Sequence, residues 1–171
     1  MTTTARRAGT GGSGYGHNVT SPLARLDELG IALPPVAAPL AAYVPAVRSG
    51  SLVFTSGQLP MVDGKLRATG KVGATVSAED AAGYARTAVL NALAAVHALV
   101  GLDSVVRIVK VVGFVASAPD FTGQPGVING ASALLGEVFG DAGAHARSAV
   151  GVAALPLDAP VEVEIVVEVG P

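Results

Sequence analysis

The stretch VVRIVKVVGFVAS, residues 105–117, is rich in β-branched side chains and carries apolar residues at both odd and even positions. Val and Ile favour extended backbone, and apolar side chains on both sides of a strand are typical of one that is covered on both faces. We therefore predict a long inner strand here, whose edges and faces the rest of the chain has to cover.

Helical patterns stand on both sides of this strand. Ser77 is a predicted N-cap with two acidic residues soon after it, apolar residues then recur at helical spacing as far as Leu99, and Gly101 ends the pattern. A second helix is predicted over residues 127–139. Because the first helix has a clear apolar face, it should pack on a sheet.

A first β-hairpin is predicted near the N-terminus. AAYVPAV (41–47) and SLVFTSG (51–57) are rich in strand-forming residues and are separated by RSG, a turn-like triplet. If the second and third residues of this triplet form the turn, Tyr43 falls opposite Ser56, and their two hydroxyl groups face the same side of the sheet.

A second hairpin is predicted at the C-terminal end. HARSAVGVAALPLDAPVEVE, residues 145–164, contains two strand patterns joined by a proline-bounded segment, and Leu157-Asp158 are the assumed centre of the turn. The final strand alternates valine or isoleucine with glutamate, which is typical of a strand with one buried and one wet face.

The predicted order of elements is therefore hairpin, helix, strand, helix, hairpin. Strands separated by helices need crossover connections and hence some parallel pairing, whereas the hairpins are antiparallel. The predicted fold class is α+β: a two-layer sandwich with a mixed β-sheet and two main helices on one face. The other sheet face has no helix left to cover it, which predicts burial against other subunits. Residues 21–171 are expected to form a single domain, preceded by a flexible, Gly- and Thr-rich tail over residues 1–20.

Composition argues against several classes of function. The formal net charge of −2, from 11 Lys and Arg against 13 Asp and Glu, provides no field to gather nucleic acid or an anionic membrane. No apolar run approaches the ~20 residues that span a bilayer. The chain has no cysteine, hence no disulfide or thiolate metal site, which fits a cytoplasmic protein. Its three histidines, His17, His97 and His145, lack metal-ligand spacing, so no metal is expected.

Arg147 is an unexpected residue in the second hairpin. Strand periodicity places it on one face with Ala149 and Gly151, whose small side chains leave a concavity where a guanidinium could bind a carboxylate through two parallel hydrogen bonds. The alternative is an ion pair with Glu168, which lies opposite in the assumed hairpin. The same register places Glu162 on the same sheet face as Arg147, but the two residues are then ~20 Å apart along the strands. If both serve one site, a neighbouring subunit must supply one of them.

Three polar side chains near these positions have plain structural interpretations. The Ser56 hydroxyl at a strand end can satisfy a backbone group, and Asn129 near a helix start can act as a cap. His145 precedes Arg147 by two residues and could flank a cleft, but a single loop histidine is most simply exposed, so we assign it no catalytic role.

From about residue 23 to residue 169 the chain resembles the RidA (YjgF) family of reactive intermediate deaminases. Several motifs carry the resemblance in the same order and spacing: AAYVPAV (41–47) with Tyr43, FTSGQLP (54–60), VINGAS (127–132), ARSAV (146–150) and LPLDAPVEVE (155–164). The resemblance implies a chorismate-mutase-like fold and a homotrimer whose three clefts lie between subunits.

The resemblance also implies an activity and a site. The family's reaction is hydrolysis of 2-imino or 2-enamino acids to 2-keto acids and ammonia, without a metal or organic cofactor. By position, Arg147 would bind the substrate carboxylate and Glu162 would position or activate water, and both are expected to be catalytic. The expected substrate-binding residues are Tyr43, Ser56, Gly57, Asn129 and Ala149.

Two departures from the family pattern leave alternative functions open. Ala149 stands where many family deaminases carry cysteine, and Gly151 stands where a larger residue is common, which together would widen or reshape the cleft. One alternative is a non-catalytic trimer that binds a small carboxylate metabolite. Another is an endoribonuclease, which the weak positive charge and the 4% aromatic content disfavour.

Overall fold

The computed structural model of the chain describes residues 20–36 and 42–171. The predicted tail over residues 1–20 lies outside these residues except for Thr20, and so does Ala41 at the start of the first predicted strand. The described residues form the following elements: α1 (Pro22–Glu28), β1 (Ala46–Ser49), β2 (Leu52–Thr55), β3 (Met61–Val62), β4 (Lys65–Leu66), α2 (Ala78–Val100), β5 (Val105–Ala116), α3 (Gln124–Phe139), β6 (Ala146–Val152) and β7 (Val161–Val169).

β5 is the inner strand that its sequence predicts. Five strands form one sheet in the order β1-β2-β7-β5-β6, in which β5 runs antiparallel to β7 and parallel to β6. The β1–β2 and β2–β7 pairs are antiparallel. The sheet is therefore mixed and, with α2 and α3 packed on one face, the predicted α+β class is confirmed.

The two main helices form a second layer over the sheet. Ser77 caps α2 by accepting a hydrogen bond from the Asp80 backbone N–H at 3.0 Å, and Gly101 ends the helix, as predicted. α3 begins at Gln124 rather than at 127, because Pro125 fits the first turn of a helix.

The core lies between the helix layer and β7. Small residues of α2 allow the helix to approach the sheet closely, and each valine or isoleucine buried beneath it contributes about 1.5–3 kcal/mol. The fully or almost fully buried residues include Ala85, Ala88 and Ala92 of α2 and Val161, Val163, Ile165 and Val167 of β7. The two helices also approach each other closely, since a Cβ at Gly130 would overlap the backbone carbonyl of Ala82.

The N-terminal hairpin forms, but one residue further along the chain than predicted. Ser49 pairs with Leu52, so the two turn residues are Gly50 and Ser51. Gly50 has a φ of +62°, the left-handed value that a tight hairpin turn requires at its first position. Because of this shift, and because Tyr43 precedes β1, the predicted pairing of Tyr43 with Ser56 is wrong.

The predicted C-terminal hairpin is wrong. β6 and β7 do not pair, because β5 lies between them: Val111 of β5 has Arg147 on one side and Ile165 on the other. Their connection crosses the end of β5, where the Ala116 N–H donates to the Pro160 carbonyl at 2.9 Å. A strand as apolar as β5 is most stable at an inner position of a sheet, and such a position requires a partner strand on each edge.

A short ribbon, β3 with β4, was not predicted. Asp63 and Gly64 form its turn, with φ values of +51° and +75°, and Asp-Gly is a sequence typical of such turns. Asn91 of α2 fixes the start of the ribbon by donating to the Leu59 and Met61 carbonyls at 2.9 and 3.1 Å.

The sheet face opposite the helices is uncovered in the described parts of the chain. Phe54 and Val150 lie on it with 40% and 44% of their surfaces exposed. Between them lie half-buried side chains of β7, including Glu162 and Glu164. A face that mixes large exposed apolar groups with partly desolvated carboxylates is typical of a surface that another subunit covers. No helix among the described residues is both long and apolar enough to cross a membrane.

Candidate functional site

Arg147 lies on the edge strand β6 and faces α3. Its Nη1 donates to the Asn129 Oδ1 at 2.8 Å and to the Ser132 Oγ at 3.2 Å. The structure thus brings Arg147 and Asn129 together, as the site prediction requires. Asn129 does not cap α3, because the helix begins one turn earlier with Gly123 at its N-cap, so that alternative interpretation is wrong.

The Arg147 guanidinium is held by neutral oxygen atoms. The ion pairs among the described residues join Arg25 to Glu28, Lys71 to Asp158 and Arg86 to Glu137, and none involves Arg147. The alternative ion pair of Arg147 with Glu168 is wrong, because Glu168 lies between Leu52 and Arg107 in the sheet.

Both hydrogens of Nη1 are engaged in these two bonds. Among the described residues, Nε and Nη2 of Arg147 donate to no protein acceptor. These two nitrogens form the edge of a guanidinium that binds a carboxylate through two parallel hydrogen bonds. Asn129 and Ser132 therefore hold the Arg147 guanidinium through Nη1 alone. The edge formed by Nε and Nη2 stays available to bind a carboxylate.

Ala149 and Gly151 share the face of Arg147 but differ in their surroundings. Ala149 packs on the margin of the core. At Gly151 an added Cβ would come within 2.8 Å of the Gln124 Nε2 and 3.1 Å of the Ser117 Oγ. The glycine thus makes room for the Gln124 side chain, and the widened or reshaped cleft stays a prediction.

Glu162 lies on the other face of the sheet. It is beside Phe114 of β5, whereas Arg147 is beside Val111. Successive strand residues point to opposite faces, so side chains aligned with positions 111 and 114 face opposite ways. The prediction that Glu162 shares the face of Arg147 is therefore wrong, because it assumed that β6 pairs directly with β7.

Gly57 lies against the Glu162 side chain. A Cβ at this position would overlap the Glu162 Oε1, so only glycine fits without displacing the carboxyl group. The contact is fixed from the backbone, because Gln58 and Val163 exchange two N–H to carbonyl hydrogen bonds at 2.8 and 3.0 Å. Burial raises the pKa of Glu162 above its usual value, and the negative charge of Glu164 raises it further.

Ser56 precedes Gly57 in the chain, and its hydrogen bonds tie it to the segment that follows Tyr43. The Ser56 hydroxyl donates to the Val44 carbonyl at 2.6 Å, and its N–H donates to the Pro45 carbonyl at 2.8 Å, so Ser56 satisfies backbone groups as its structural interpretation predicted. Tyr43 is next to Val44 in the chain and has 51% of its surface exposed. The predicted site residues thus form two groups, one around Arg147 and one around Glu162.

Two further polar residues join the Arg147 group. The Ser132 Oγ lies 3.0 Å from the His145 Nε2, and the His145 Nδ1 lies 2.6 Å from the Gly143 carbonyl. Sequence reasoning missed Ser132, and it considered His145 beside the cleft but assigned it no catalytic role. A signal was present, since Ser132 is three positions from Asn129 on one helix face and His145 is two positions from Arg147 along an extended segment. Among the described residues no cluster of three or more His, Cys, Asp or Glu could hold a metal ion.

The chain is similar to known proteins over most of its length. The profile of a family described as "YjgF/chorismate_mutase-like, putative endoribonuclease" matches residues 23–169. Protein TCP17 of Trypanosoma cruzi is 47% identical over 147 residues, which cover 85% of this chain and 92% of TCP17.

Solved structures agree with this assignment. Atu1372 of Agrobacterium tumefaciens, a protein of unknown function, has a TM-score of 0.80 at 47% identity, covering 85% of this chain and 91% of that one. TdcF of E. coli, solved with bound serine, has a TM-score of 0.58 at 28% identity, covering 81% and 94%. The motifs, the mixed sheet under two helices and these matches together place this chain in the RidA (YjgF) family, with its chorismate-mutase-like fold.

Proposed function

We propose that this protein hydrolyses reactive 2-imino or 2-enamino acids to 2-keto acids and ammonia, with Arg147 binding the substrate carboxylate. The observation that carries the proposal is the Arg147 guanidinium, which two neutral oxygens hold through Nη1 alone. A guanidinium anchored in this way keeps its full charge and its two-nitrogen edge for an anion. The serine bound to TdcF is itself an amino acid with a carboxylate, which agrees with this choice of ligand.

The proposed site lies between subunits of a homotrimer. Arg147 and Glu162 are on opposite sheet faces, so a cleft that uses both needs the Glu162 group of a neighbouring chain. The exposed Phe54 and Val150 on the uncovered face support such an assembly, because large apolar groups are commonly buried at subunit contacts.

The reaction asks little of the protein beyond position and proton transfer. A protonated imine carbon is already electrophilic, so a water molecule held next to it can attack once a base removes a proton. Glu162, whose pKa is raised by burial, is suited to this task. The C–O bond forms, the electrons of the C=N bond move to nitrogen, and the resulting carbinolamine then loses ammonia.

The experiment is a competition for freshly formed imine. An amino-acid oxidase with catalase generates the 2-imino acid, and semicarbazide traps whatever the protein does not hydrolyse. We expect the purified protein to decrease trapping and to accelerate ammonia release. Loss of the carboxylate contact in Arg147→Ala should lower kcat/KM by roughly 30-fold or more. Arg67→Ala, at an exposed arginine outside both groups, serves as the matched control and should leave the rate unchanged.

Two other outcomes would replace the proposal. If the wild-type protein binds a keto acid or serine through Arg147 without accelerating imine hydrolysis, it is a metabolite-binding protein. If it cleaves RNA and Arg147→Ala cleaves equally well, the endoribonuclease named in the family description is the better assignment. The net charge of −2 argues against the latter.

A further inference from the structure

We infer that Ser132 and His145 are positioning residues, which determine the edge of the Arg147 guanidinium that meets the substrate carboxylate. This inference rests on the proposed function and deepens it. Neither side chain is assigned a contact with the reacting carbon, because Ser132 binds Nη1, on the side of the guanidinium away from the Nε and Nη2 edge. Ser132 acts on Arg147, and His145 acts through Ser132.

A guanidinium can bind a carboxylate through either of two edges. One is the side edge formed by Nε and Nη2, and the other is the end edge formed by Nη1 and Nη2. Here the two hydrogens of the Arg147 Nη1 go to the Asn129 Oδ1 at 2.8 Å and to the Ser132 Oγ at 3.2 Å. The end edge is therefore occupied by protein oxygens, and a substrate carboxylate is restricted to the side edge.

The Ser132 hydroxyl can rotate, so its orientation depends on a second partner. A serine hydroxyl has one hydrogen to donate and two lone pairs with which to accept. The Ser132 Oγ lies 3.0 Å from the His145 Nε2. When the hydroxyl donates its hydrogen to this nitrogen, its lone pairs remain for Arg147, and a guanidinium hydrogen needs such an acceptor.

The other hydrogen bond of His145 makes Nε2 the acceptor. A carbonyl oxygen can only accept, so the Nδ1 that lies 2.6 Å from the Gly143 carbonyl carries a proton and donates it. In the neutral imidazole the remaining nitrogen, Nε2, is then an acceptor. His145 thus holds the hydrogen of Ser132 away from the guanidinium.

Helix α3 supports both ends of this chain of hydrogen bonds. Ser132 belongs to α3. Gly143 ends a short 3-10 turn, residues 140–143, and lies so close to α3 that a Cβ would overlap the Leu135 carbonyl. Because both ends are anchored on one rigid element, the direction of the guanidinium is set before a substrate binds.

The direction of the guanidinium determines where the reacting carbon lies. In a 2-imino acid this carbon is bonded directly to the carboxylate carbon, so the edge that holds the carboxylate sets its distance from the proposed base, Glu162 of the neighbouring chain. A displacement of about 1 Å can cost ~100-fold in rate. The end edge would bind the same carboxylate through a similar pair of hydrogen bonds, but in another direction. Positioning should therefore affect kcat more than affinity.

Ser132→Ala tests this expectation, because it frees one hydrogen of Nη1 and makes the end edge available. In the imine competition assay we expect kcat to decrease by ~10-fold or more, whereas the Kd for pyruvate, the simplest 2-keto acid, should stay within about threefold of wild type. Ser132→Thr keeps a hydroxyl and should recover most of the lost rate. Ser51→Ala, in the exposed turn between β1 and β2, is the matched control.

A double variant tests whether His145 acts through Ser132. His145→Phe removes the acceptor for the Ser132 hydrogen and should decrease kcat by less than Ser132→Ala does. In the Ser132→Ala background the same substitution should have no further effect, because the hydroxyl that it orients is absent. A histidine that only supports its loop would decrease kcat again in that background. His97→Phe, near the end of α2, is the control.

Nitrogen-15 NMR of Arg147 tests the same geometry without substrate. Two hydrogen bonds from Nη1 should slow the rotation of the guanidinium, so that Nη1 and Nη2 give separate signals in the wild-type protein. Arg147→Lys assigns these signals by their loss. In Ser132→Ala the two signals should merge, because one of the two bonds is absent.

The possible results overturn different statements. A wild-type protein that does not accelerate imine hydrolysis overturns the proposed function, and the NMR comparison then decides the positioning role by itself. In an active protein, an unaltered kcat or persistent separate Nη signals in Ser132→Ala overturn the inference. Loss of pyruvate binding together with a lower Tm also overturns it, because Ser132 would then support folding. Additive effects in the double variant overturn the role of His145.

Discussion

Arg147 and Glu162 occupy opposite faces of one β-sheet, because the first is aligned with Val111 and the second with Phe114 on the strand between them. Two residues placed in this way cannot meet on one substrate within a single chain. The consequence is testable by mixing inactive proteins.

We expect Arg147→Ala and Glu162→Gln to be inactive separately and active together. In a mixed assembly of the proposed trimer, a cleft with an intact Arg147 from one chain and an intact Glu162 from the next is complete. Unfolding and refolding the two variants at equal concentrations should give about a quarter of wild-type activity, since each cleft draws its two sides at random. A double variant mixed with wild type provides the control. A mixture that remains inactive would show that the cleft does not combine the two chains.

Gly57→Ala should impair catalysis with little effect on folding. The added Cβ overlaps the Glu162 carboxyl group, which is the flexible end of a side chain and can rotate away. Displacing a base by about 1 Å can cost ~100-fold in rate. Steady-state kinetics and thermal unfolding of Gly57→Ala and Gly83→Ala separate the two effects, because Gly83 lies on α2 with open space at its Cβ position. Equal activity of the two variants would contradict a role for the Glu162 position.

Because the pKa of Glu162 is raised, the pH profile of activity should have an acid limb, and the midpoint of this limb should lie above the ordinary glutamate pKa of 4.5. A base must be ionised, so kcat/KM should fall as pH decreases through the raised pKa. Glu164→Gln removes the like charge that contributes to the shift, and should move this limb to lower pH. Glu168→Gln, further along β7, is the comparison variant and should leave the limb in place.

The same pKa shift has a consequence for stability. Because folding raises the pKa of Glu162, the folded state favours the protonated carboxyl group, and the associated stability is lost as pH increases through the folded pKa. Glu162→Gln should therefore be more stable than wild type near pH 7 and indistinguishable from it below pH 4.5. Chemical denaturation at the two pH values measures the free energy of unfolding of both proteins. If Glu162→Gln differs from wild type by the same amount at both pH values, folding does not raise the pKa of Glu162.

Asn129→Asp should weaken substrate binding although it strengthens the contact with Arg147. A carboxylate in place of the Asn129 amide, 2.8 Å from Nη1, would neutralise the cation that the substrate needs. We expect KM to increase by about tenfold or more. Ala133→Asp adds the same charge to an exposed position on α3 and controls for charge alone. Unchanged KM in Asn129→Asp would argue against carboxylate binding at Arg147.

The local parts of the fold were predictable from the sequence. The Ser77 cap, the Gly101 stop and the two-sided apolar pattern of residues 105–117 each act within a few residues, and the structure contains all three features. Which strands become neighbours is a different kind of question. β7 pairs with β2 and β5 rather than with the adjacent β6, and no local pattern records a choice between distant partners.

The residues of the candidate site also fall into those that local sequence patterns predicted and those whose placement depended on distant pairing. Arg147 was found from strand periodicity and Asn129 from its place in a family motif, and their side chains do meet. The placement of Glu162 depended on strand order and was wrong for that reason. Ser132 was not singled out although it ends the VINGAS motif, and His145 was given no catalytic role, because only the packing of α3 against β6 brings the two within hydrogen-bond distance.

The position of β7 in the middle of the sheet affects how the protein can be made. Residues 161–169 fill the gap between β2 and β5, so the sheet has no centre until these residues have emerged from the ribosome. Until then, the strands and helices that were translated earlier keep their apolar faces exposed. We expect the nascent chain to depend most on chaperones during this interval, before β7 is translated. A C-terminal deletion that removes β7 would leave two unjoined half-sheets rather than a smaller folded protein.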